Sequence, residues 1–312
     1  MQTESQIDKI AVTDIGSNTI RTVVYGIRGN TIRKLYSERD YTGLLDYVRD
    51  GRLSDEGIEH LCSVLGHMGR FCALCGCGTP NAFSTAALRS VVNRADVFSA
   101  VYGRTGIRIH PLSAEGEMQC DCAGLLRAGV TEGYAFDLGG GSCQLFSFGP
   151  DGLRGGVSLP FGCLSIGRHF VRQGLFPTHE EARAVRRFVR GMLEEHLPRF
   201  AGIGMDRIYA MGGTARAAAK VRRALYPETA DTGETLLECD RLRDFVKRAR
   251  KDEGGTVALL RRVTPGRMST LVPGILAMET ILRYCGCGTL RVMPVGVREG
   301  FLWTHLLPTP AP

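Results

Sequence analysis

Short apolar runs alternate with longer amphipathic segments along the chain, a pattern that predicts an α/β protein. Ile10 to Asp14 has the composition of a short buried strand. Thr19 to Ile27 alternates apolar and polar residues and ends in a glycine-containing hairpin signal, Gly26-Ile-Arg-Gly-Asn30. Thr31 to Tyr41 predicts a third strand. The chain therefore opens with a predicted meander of three strands.

Helices and strands are predicted to alternate after this meander. Ser54 is the predicted N-cap of a first helix, with Asp55-Glu56 in its first turn. The first half continues with a helix to about Cys75, a strand over 81–85, a helix from Ala86 to about Tyr102, a strand over 107–112 and a helix from Ser113 to about Arg127. The pattern then restarts, with strands over 134–137, 144–148, 155–159, 207–211 and 290–295, and with helices from about Ser165, over 178–200, 215–225, 273–285 and 298–306. Residues 226–270 are predicted to be helical and rich in loops. Two copies of one strand–turn–strand–strand unit follow from this repetition.

Each copy contains a glycine turn directly after an aspartate. The turns are Asp14-Ile-Gly-Ser-Asn18 and Asp137-Leu-Gly-Gly-Gly-Ser142. Glycine allows backbone angles that other residues resist, so main-chain N–H groups can approach an anion. The aspartate at the mouth can hold a metal ion or orient a water molecule. Two α/β lobes with a cleft between the glycine turns are the predicted arrangement, and closure of the lobes would exclude water.

The 11 cysteines favour reduced thiols over a disulfide scaffold, since their number is odd and several lie in apolar runs. Cys72-x-x-Cys75-x-Cys77 and Cys285-x-Cys287 suggest zinc ligands. Each group, however, ends a predicted amphipathic helix just before a strand, and free cysteine also acts as a small hydrophobe. The related segments Cys75-Gly-Cys-Gly-Thr79 and Cys285-Gly-Cys-Gly-Thr289 support a duplication.

Composition restricts the classes of function. The 312 residues carry a net charge of +7, which suits an anionic partner. Aromatic residues make up 7% of the chain and do not interleave with the arginines, so nucleic-acid binding is disfavoured. No apolar run approaches the roughly 20 residues of a membrane span, and the first residues lack a signal pattern. A cytoplasmic protein without a membrane segment is therefore expected.

Six motifs recur in an order that resembles the exopolyphosphatase / guanosine pentaphosphatase family. They are Asp14-Ile-Gly-Ser-Asn-Thr-Ile-Arg21, Ser84-Thr85-x-x-x-Arg89-x-x-x-Asn93, Asp137-Leu-Gly-Gly-Gly-Ser142, Ser158-Leu-Pro-Phe-Gly162, Gly212-Gly-Thr214 and Arg298-Glu-Gly300. The resemblance covers nearly the whole chain and corresponds to the short form, without C-terminal helical domains. It implies the two-lobed, duplicated α/β fold of the actin-like, sugar-kinase and heat-shock ATPase (ribonuclease H-like) superfamily, with a central cleft. The lobes are expected at 1–125, with 299–312 packed back on it, and at 126–298.

The resemblance also implies an activity, namely release of orthophosphate from polyphosphate or from guanosine pentaphosphate, with Mg²⁺ or another divalent cation. Phosphoryl transfer depends on charge neutralisation and positioning, which glycine turns and arginine forks supply. Asp137 is the expected metal ligand. The expected phosphate-binding residues are Asp14, Gly16, Ser17, Asn18, Thr19, Arg21, Thr85, Arg89, Gly139, Gly140, Gly141, Ser142, Gly212, Gly213 and Thr214.

The family's catalytic glutamate corresponds to Glu117, within Ser113-Ala-Glu-Gly-Glu117. Glu117 would polarise the attacking water as a general base. Gly124, further along the same helix, supports this register. Glu115 is the second candidate. The alternative for both residues is an exposed carboxylate favoured by the helix dipole.

Several positions depart from the family pattern. Gln144 replaces a glutamate that would help to hold the metal or a water, and Gly116 and Gln119 replace a second glutamate and an arginine beside the catalytic glutamate. Met293-Pro-Val295 stands where the family has Ser-Asp-Gly. The phosphate cradle is therefore kept, while the acidic residues around it are fewer.

Three functions remain open from the sequence. The first is a phosphohydrolase acting on polyphosphate or guanosine pentaphosphate. The second, motivated by Gly116, Gln119 and Gln144, is a protein that binds guanosine tetraphosphate, guanosine pentaphosphate or polyphosphate with little turnover. The third is an ATP-dependent kinase of the same superfamily, with Gly212-Gly-Thr214 at the adenosine, which the hydrolase motifs disfavour. A homodimer is expected by resemblance.

Overall fold

The chain forms two compact units, Met1–Ser113 and Ala114–Pro312, in the computed structural model. The structure describes residues 8–29, 31–172, 174–227 and 235–307. Each unit is built on its own sheet, with helices packed against it.

The first unit contains a five-stranded sheet with the order β3-β2-β1-β6-β7. Its strands are β1 (Asp8–Ile15), β2 (Ile20–Arg28), β3 (Thr31–Asp40), β4 (Val48–Arg49), β5 (Arg52–Leu53), β6 (Asn81–Ser84) and β7 (Ile109–Pro111), where β4 and β5 form a separate hairpin. Its helices are α1 (Asp55–Leu74), α2 (Ala86–Arg89) and α3 (Arg94–Thr105), with a 3₁₀ turn at Leu44–Tyr47. The first three strands are antiparallel, and β6 and β7 add to β1 in parallel.

The second unit contains a six-stranded sheet with the order β10-β9-β8-β11-β13-β12. Its strands are β8 (Gly133–Leu138), β9 (Cys143–Gly149), β10 (Gly152–Leu159), β11 (Ile208–Met211), β12 (Leu236–Glu238) and β13 (Thr289–Val292). Its helices are α4 (Ala114–Arg127), α5 (Cys163–Phe170), α6 (His179–His196), α7 (Gly212–Leu225), α8 (Cys239–Lys251), α9 (Glu253–Val263), α10 (Leu271–Tyr284) and α11 (Val297–Phe301), with 3₁₀ turns at Pro198–Phe200 and Pro265–Arg267 and a π-helical turn at Leu302–Leu306.

The two sheets share one topology. In each, an antiparallel three-stranded meander is followed by two strands that add in parallel next to its first strand. β6 therefore corresponds to β11, and β7 corresponds to β13. The duplicated α/β pattern predicted from the sequence is confirmed.

Local sequence explains why the main helices form where they do. The Ser54 side chain accepts a hydrogen bond from the Gly57 N–H at 3.1 Å, which confirms the predicted cap of α1. Leu61, Leu65 and Met68 are buried on one face of α1, at the spacing of an amphipathic helix. By contrast, α10 is buried on every side from Leu271 to Leu282, so it forms the centre of the second unit's core. Within the described ranges, no helix is both long and apolar enough to cross a membrane.

The structure differs from the predicted elements at three places. The helix expected from Ala86 to Tyr102 breaks after Arg89, because the Asn93 side chain exchanges hydrogen bonds of 3.0 and 2.9 Å with the backbone of Leu53. Helix α7 begins at Gly212 rather than at Ala215. The segment 226–270 contains an unpredicted strand, β12, and residues 228–234 of that segment lie outside the described ranges.

The boundary between the compact units falls before α4, whereas the sequence predicted a lobe boundary at residue 125. Helix α4 packs on β9, β10 and α11, which all belong to the second unit. The contact with α11 is tight, since a Cβ atom at Gly300 would overlap the Cys120 carbonyl of α4. The predicted boundary between functional lobes stays a prediction.

The two cysteine segments share one helix cap. Gly76 and Gly286 have φ values of +67° and +66°, and the N–H groups of Cys77 and Cys287 each donate back into the preceding helix at 2.9 Å. Glycine at such a position is the common way to end a helix. The segments precede β6 and β13, which are not corresponding strands, so their likeness follows from the shared cap rather than from the duplication.

Candidate active site

The first glycine turn joins β1 to β2 in the first unit. The Gly16 N–H donates to the Thr19 carbonyl at 3.0 Å, which closes the turn. Ser17, within it, is buried. No hydrogen bond within the described residues engages the N–H groups of Ser17 and Asn18. The turn can therefore offer these N–H groups to an anion.

The predicted arginine clamps of the first unit lie on β2 and at the end of α2. Arg21 is opposite Asp14 in the β1–β2 register, and its Nε and Nη2 donate to Ser37 Oγ on β3 at 3.3 and 3.2 Å. The Thr85 N–H donates to the Ile15 carbonyl at 3.3 Å, so the start of α2 is tied to the turn. Arg89, at the end of α2, reaches the Leu112 carbonyl with Nη1 at 3.5 Å. Their phosphate-binding roles stay predictions.

The second glycine turn, residues 139–142 between β8 and β9, repeats the hydrogen bond of the first. The Gly139 N–H donates to the Ser142 carbonyl at 2.9 Å, as Gly16 does to Thr19. The N–H groups of Gly140 and Gly141 make no hydrogen bond within the described residues. The duplication therefore extends from the sheet to the geometry of both turns.

The start of α5 is hydrogen-bonded to the second glycine turn. The N–H groups of Cys163, Leu164 and Ser165 donate to the carbonyls of Gly139 and Gly140 at 2.9 to 3.1 Å, so the start of α5 binds the carbonyl side of the turn. Because the carbonyls are fixed there, the turn's N–H groups are left on its other side. Gly162 packs so closely on the turn that a Cβ atom would lie 2.6 Å from the Gly139 oxygen.

Gln144 is opposite Asp137 in the β8–β9 register, at the position that Arg21 has relative to Asp14. Its side chain is buried, and its Nε2 donates to Ser142 Oγ at 2.9 Å and to Ser158 Oγ at 3.2 Å. The neutral amide therefore orients Ser142 at the end of the turn. A carboxylate here would accept hydrogen bonds instead of donating them.

Asp137 lies against the start of α7. A Cβ atom at Gly212, whose φ is +85°, would overlap the Asp137 carboxylate, so both conformation and space require glycine there. Thr214 is fully buried, with its Oγ1 accepting from Arg267 Nη1 at 3.0 Å and donating to Cys163 Sγ at 3.3 Å. No local pattern indicated Arg267, because it lies in the 3₁₀ turn Pro265–Arg267, 53 residues downstream of Thr214.

The two candidate bases on α4 have different environments. Glu117 is 2% exposed, whereas Glu115 is exposed and accepts a hydrogen bond from the Gln119 side chain at 3.3 Å. The exposed Glu115 therefore fits the alternative role, that of a first-turn carboxylate favoured by the helix dipole. The buried Glu117 does not fit that role. A buried carboxylate is costly, and one that lies beside other charges is a candidate for a functional site.

A group of buried charges surrounds Glu117 in the second unit. Asp121, one turn further along α4, is fully buried, and neither of its oxygens has a hydrogen-bond partner among the described residues. Burial, and then repulsion from Asp137 and Glu117, raises the pKa of Asp121 well above its usual range. Burial lowers the pKa of Arg216, which interacts favourably with Asp137 and Glu299. A sequence reader could have noticed Asp121 as a charge within the Cys120-Asp-Cys122 apolar face.

Few metal-ligating side chains lie together in the described part of the second unit. Among the described residues, no group of three or more His, Cys, Asp or Glu side chains is arranged to hold a metal ion. Asp137 supplies one carboxylate. Mg²⁺ is often held by one or two carboxylates, with waters and substrate phosphates completing its coordination.

Comparison with known proteins identifies the family. Residues 23–308 match the Ppx/GppA phosphatase family. Exopolyphosphatase 1 of Mycobacterium leprae is 24% identical over 304 residues, which cover 96% of this chain and 89% of that protein. An uncharacterised protein of Streptomyces coelicolor is 28% identical, with coverage of 97% and 92%.

Solved structures share the fold. An exopolyphosphatase from Cytophaga hutchinsonii has a TM-score of 0.82 at 18% identity, with 95% of this chain and 97% of that chain covered. The Aquifex aeolicus member of the Ppx/GppA family has a TM-score of 0.75 at 23% identity, with the same coverage. The predicted two-lobed, actin-like α/β fold is confirmed. This chain belongs to the Ppx/GppA phosphatase family.

Proposed function

We propose that this protein is an exopolyphosphatase, which releases terminal orthophosphate from inorganic polyphosphate, with Glu117 as the general base. The observation that carries the proposal is the burial of Glu117 in the same charged group as Asp137, whose glycine turn has two N–H groups available for an anion. Named exopolyphosphatases among the relatives support the choice of substrate.

Each glycine turn is proposed to bind phosphate within its own unit. Gly140 and Gly141 in one turn, and Ser17 and Asn18 in the other, would donate main-chain hydrogen bonds to phosphate oxygens, and Arg21 and Arg89 would neutralise charge. In the proposed step, Glu117 accepts a proton from water as the water oxygen attacks the terminal phosphorus. The bond to the bridging oxygen breaks, and the shortened chain leaves with that oxygen.

Asp137 would hold the divalent cation in this proposal. When bound, Mg²⁺ would neutralise part of the negative charge on the phosphate chain. The partial positive N–H groups of the glycine turns add fixed charge stabilisation, which costs no reorganisation during the reaction. Cytoplasmic location and a homodimer stay predictions.

The test is orthophosphate release by the purified full chain with polyphosphate and Mg²⁺. Turnover is expected with polyphosphate, and the same assay with guanosine pentaphosphate separates the two substrates. Absence of orthophosphate from both, under conditions in which a known family member works, would reject the activity.

A binding protein with little turnover is the second candidate, because Gln144 is built into the turn as a hydrogen-bond donor to Ser142 and Ser158. In that case polyphosphate or guanosine tetraphosphate would bind tightly and no orthophosphate would form. Turnover that is lost on mutation of Glu117 would reject this candidate.

A further inference from the structure

A basic groove lies along the outer face of α7, next to the end of β13. Its volume is about 370 Å³, and its lining includes the cationic side chains of Arg216, Lys220, Arg223 and Arg291. None of the predicted catalytic or phosphate-binding residues lines this groove. The groove adjoins the buried charges of the candidate active site through Arg216, whereas Lys220, Arg223 and Arg291 belong to the groove alone.

Helical spacing gathers three of these cations on one side of α7. Arg216, Lys220 and Arg223 follow each other at i, i+4 and i+7, so they share a face of the helix. Arg222 points elsewhere, because it forms an ion pair with Glu238 at 2.8 Å. The basic residues of α7 thus divide into one neutralised residue and three that face the groove.

Two of the three groove-facing cations are not neutralised by the protein, whereas Arg216 interacts favourably with Asp137 and Glu299. Among the described residues, Lys220 and Arg223 make no ion pair or hydrogen bond, and Arg216 donates only to the Val295 carbonyl at 3.4 Å. No Asp or Glu is found among the described residues that line the groove. Like charges at this spacing destabilise a helix, so an anion bound here would relieve their repulsion.

The opposite wall of the groove is apolar. It includes Val292, the last residue of β13, and Met293 and Pro294, which follow that strand. The groove volume lies in the range of small-molecule sites, roughly 300 to 1,000 Å³. Guanidinium groups match phosphate oxygens bidentately, whereas an ammonium acts as a point charge.

We propose that this groove binds a small phosphate-bearing anion, at a site distinct from the glycine turns to which we assign polyphosphate hydrolysis. An inorganic oligophosphate would use the cationic wall alone. A nucleotide would place its phosphates on the same cations and its base on the apolar wall. The shared ligand chemistry is a charged phosphate held by Lys220 and Arg223, which are the two cations that the experiment below removes.

Calorimetric titration of the full chain tests the proposal, with tripolyphosphate in one experiment and AMP in another. A Glu117→Gln background is expected to slow turnover about 10² to 10⁴-fold, and Lys220→Gln/Arg223→Gln removes two charges from the groove. The matched control is Arg261→Gln/Arg262→Gln, which removes two charges from exposed positions on α9. Since all four side chains are exposed, the variants should fold, which thermal melting checks.

We expect the groove variant to bind at least one of the two probes about tenfold or more weakly than the parent chain does. The control variant should keep the parent's affinity for both probes. Loss confined to tripolyphosphate assigns the groove to inorganic phosphates, and loss that includes AMP assigns it to nucleotides. Equal binding of both probes by the groove variant and the control overturns the proposal. Polyphosphate turnover, measured separately with intact Glu117, should survive the groove substitutions, so failure of this site and failure of the proposed function are distinguishable.

Discussion

Replacement of Gly162 by alanine should disable the second glycine turn without unfolding the protein. Gly162 has φ −145° and ψ 179°, which alanine adopts freely, so backbone strain is not the cause. The cause is contact, because the added Cβ would lie 2.5 Å from the Gly140 oxygen and 2.6 Å from the Gly139 oxygen. Both atoms belong to backbone, which cannot rotate away as a flexible side chain can.

The size of the effect follows from these distances. Ordinary van der Waals contact begins at 3.4 Å, whereas the added Cβ would lie 2.5 Å from the Gly140 oxygen. The turn or the segment before α5 must therefore move by about 1 Å. A misplacement of about 1 Å at a catalytic site can lower kcat about 100-fold. Overpacking should reduce the free energy of unfolding by about 1 to 3 kcal/mol.

Orthophosphate release and denaturant unfolding measure the two effects. Gly191→Ala is the matched control, since Gly191 lies in α6 with no atom within 4 Å of the added Cβ. That control should keep its kcat and gain about 0.5 to 1 kcal/mol of stability, because alanine replaces glycine inside a helix. Wild-type kcat and stability in Gly162→Ala would refute the role given to the turn.

Three further predictions concern buried polar groups. Asp121→Asn should flatten the pH dependence of stability. Because the pKa of Asp121 is raised by folding, the wild type should lose about 1.4 kcal/mol of unfolding free energy per pH unit as the pH rises from the unfolded-state pKa towards the folded-state pKa. Urea unfolding at several pH values measures this slope, and the same slope in Asp121→Asn as in the wild type would contradict the prediction. Arg186→Met should cost about 1.5 to 3 kcal/mol in chemical denaturation, because the carboxylate of Glu279, 1% exposed, loses its 2.7 Å partner and keeps, among the described residues, only Arg283 at 3.3 Å; a loss below 1 kcal/mol, as for surface pairs, would contradict this. Gln144→Glu should lower the Mg²⁺ concentration that gives half-maximal orthophosphate release, since it adds a carboxylate opposite Asp137, and an unchanged Mg²⁺ dependence would count against that reasoning.

The sequence predicted those features that local patterns determine. The meanders follow from period-two alternation and glycine turns, and the start of α1 follows from Ser54. The break after α2 was not predictable, because it depends on contacts between Asn93 and Leu53, which are 40 residues apart. Strand β12 has three residues and forms by pairing with β13, which no local pattern reveals.

The candidate site was predictable to a similar extent. Resemblance identified Glu117 and both turns, and the burial of Glu117 distinguishes it from Glu115. The contacts of Arg267 with Thr214, and the proximity of Asp121 to Asp137, depend on tertiary packing. Such long-range contacts leave no periodic trace in the sequence.

The most direct test of the proposed mechanism compares two glutamines on one helix. Orthophosphate release from polyphosphate with Mg²⁺ should fall by about 10² to 10⁴-fold in Glu117→Gln, because the general base is lost. Glu115→Gln, an identical change at the exposed end of α4, should keep a rate close to that of the wild type. Undiminished release by Glu117→Gln, or a selective loss in Glu115→Gln, would contradict the assignment of Glu117 as the base.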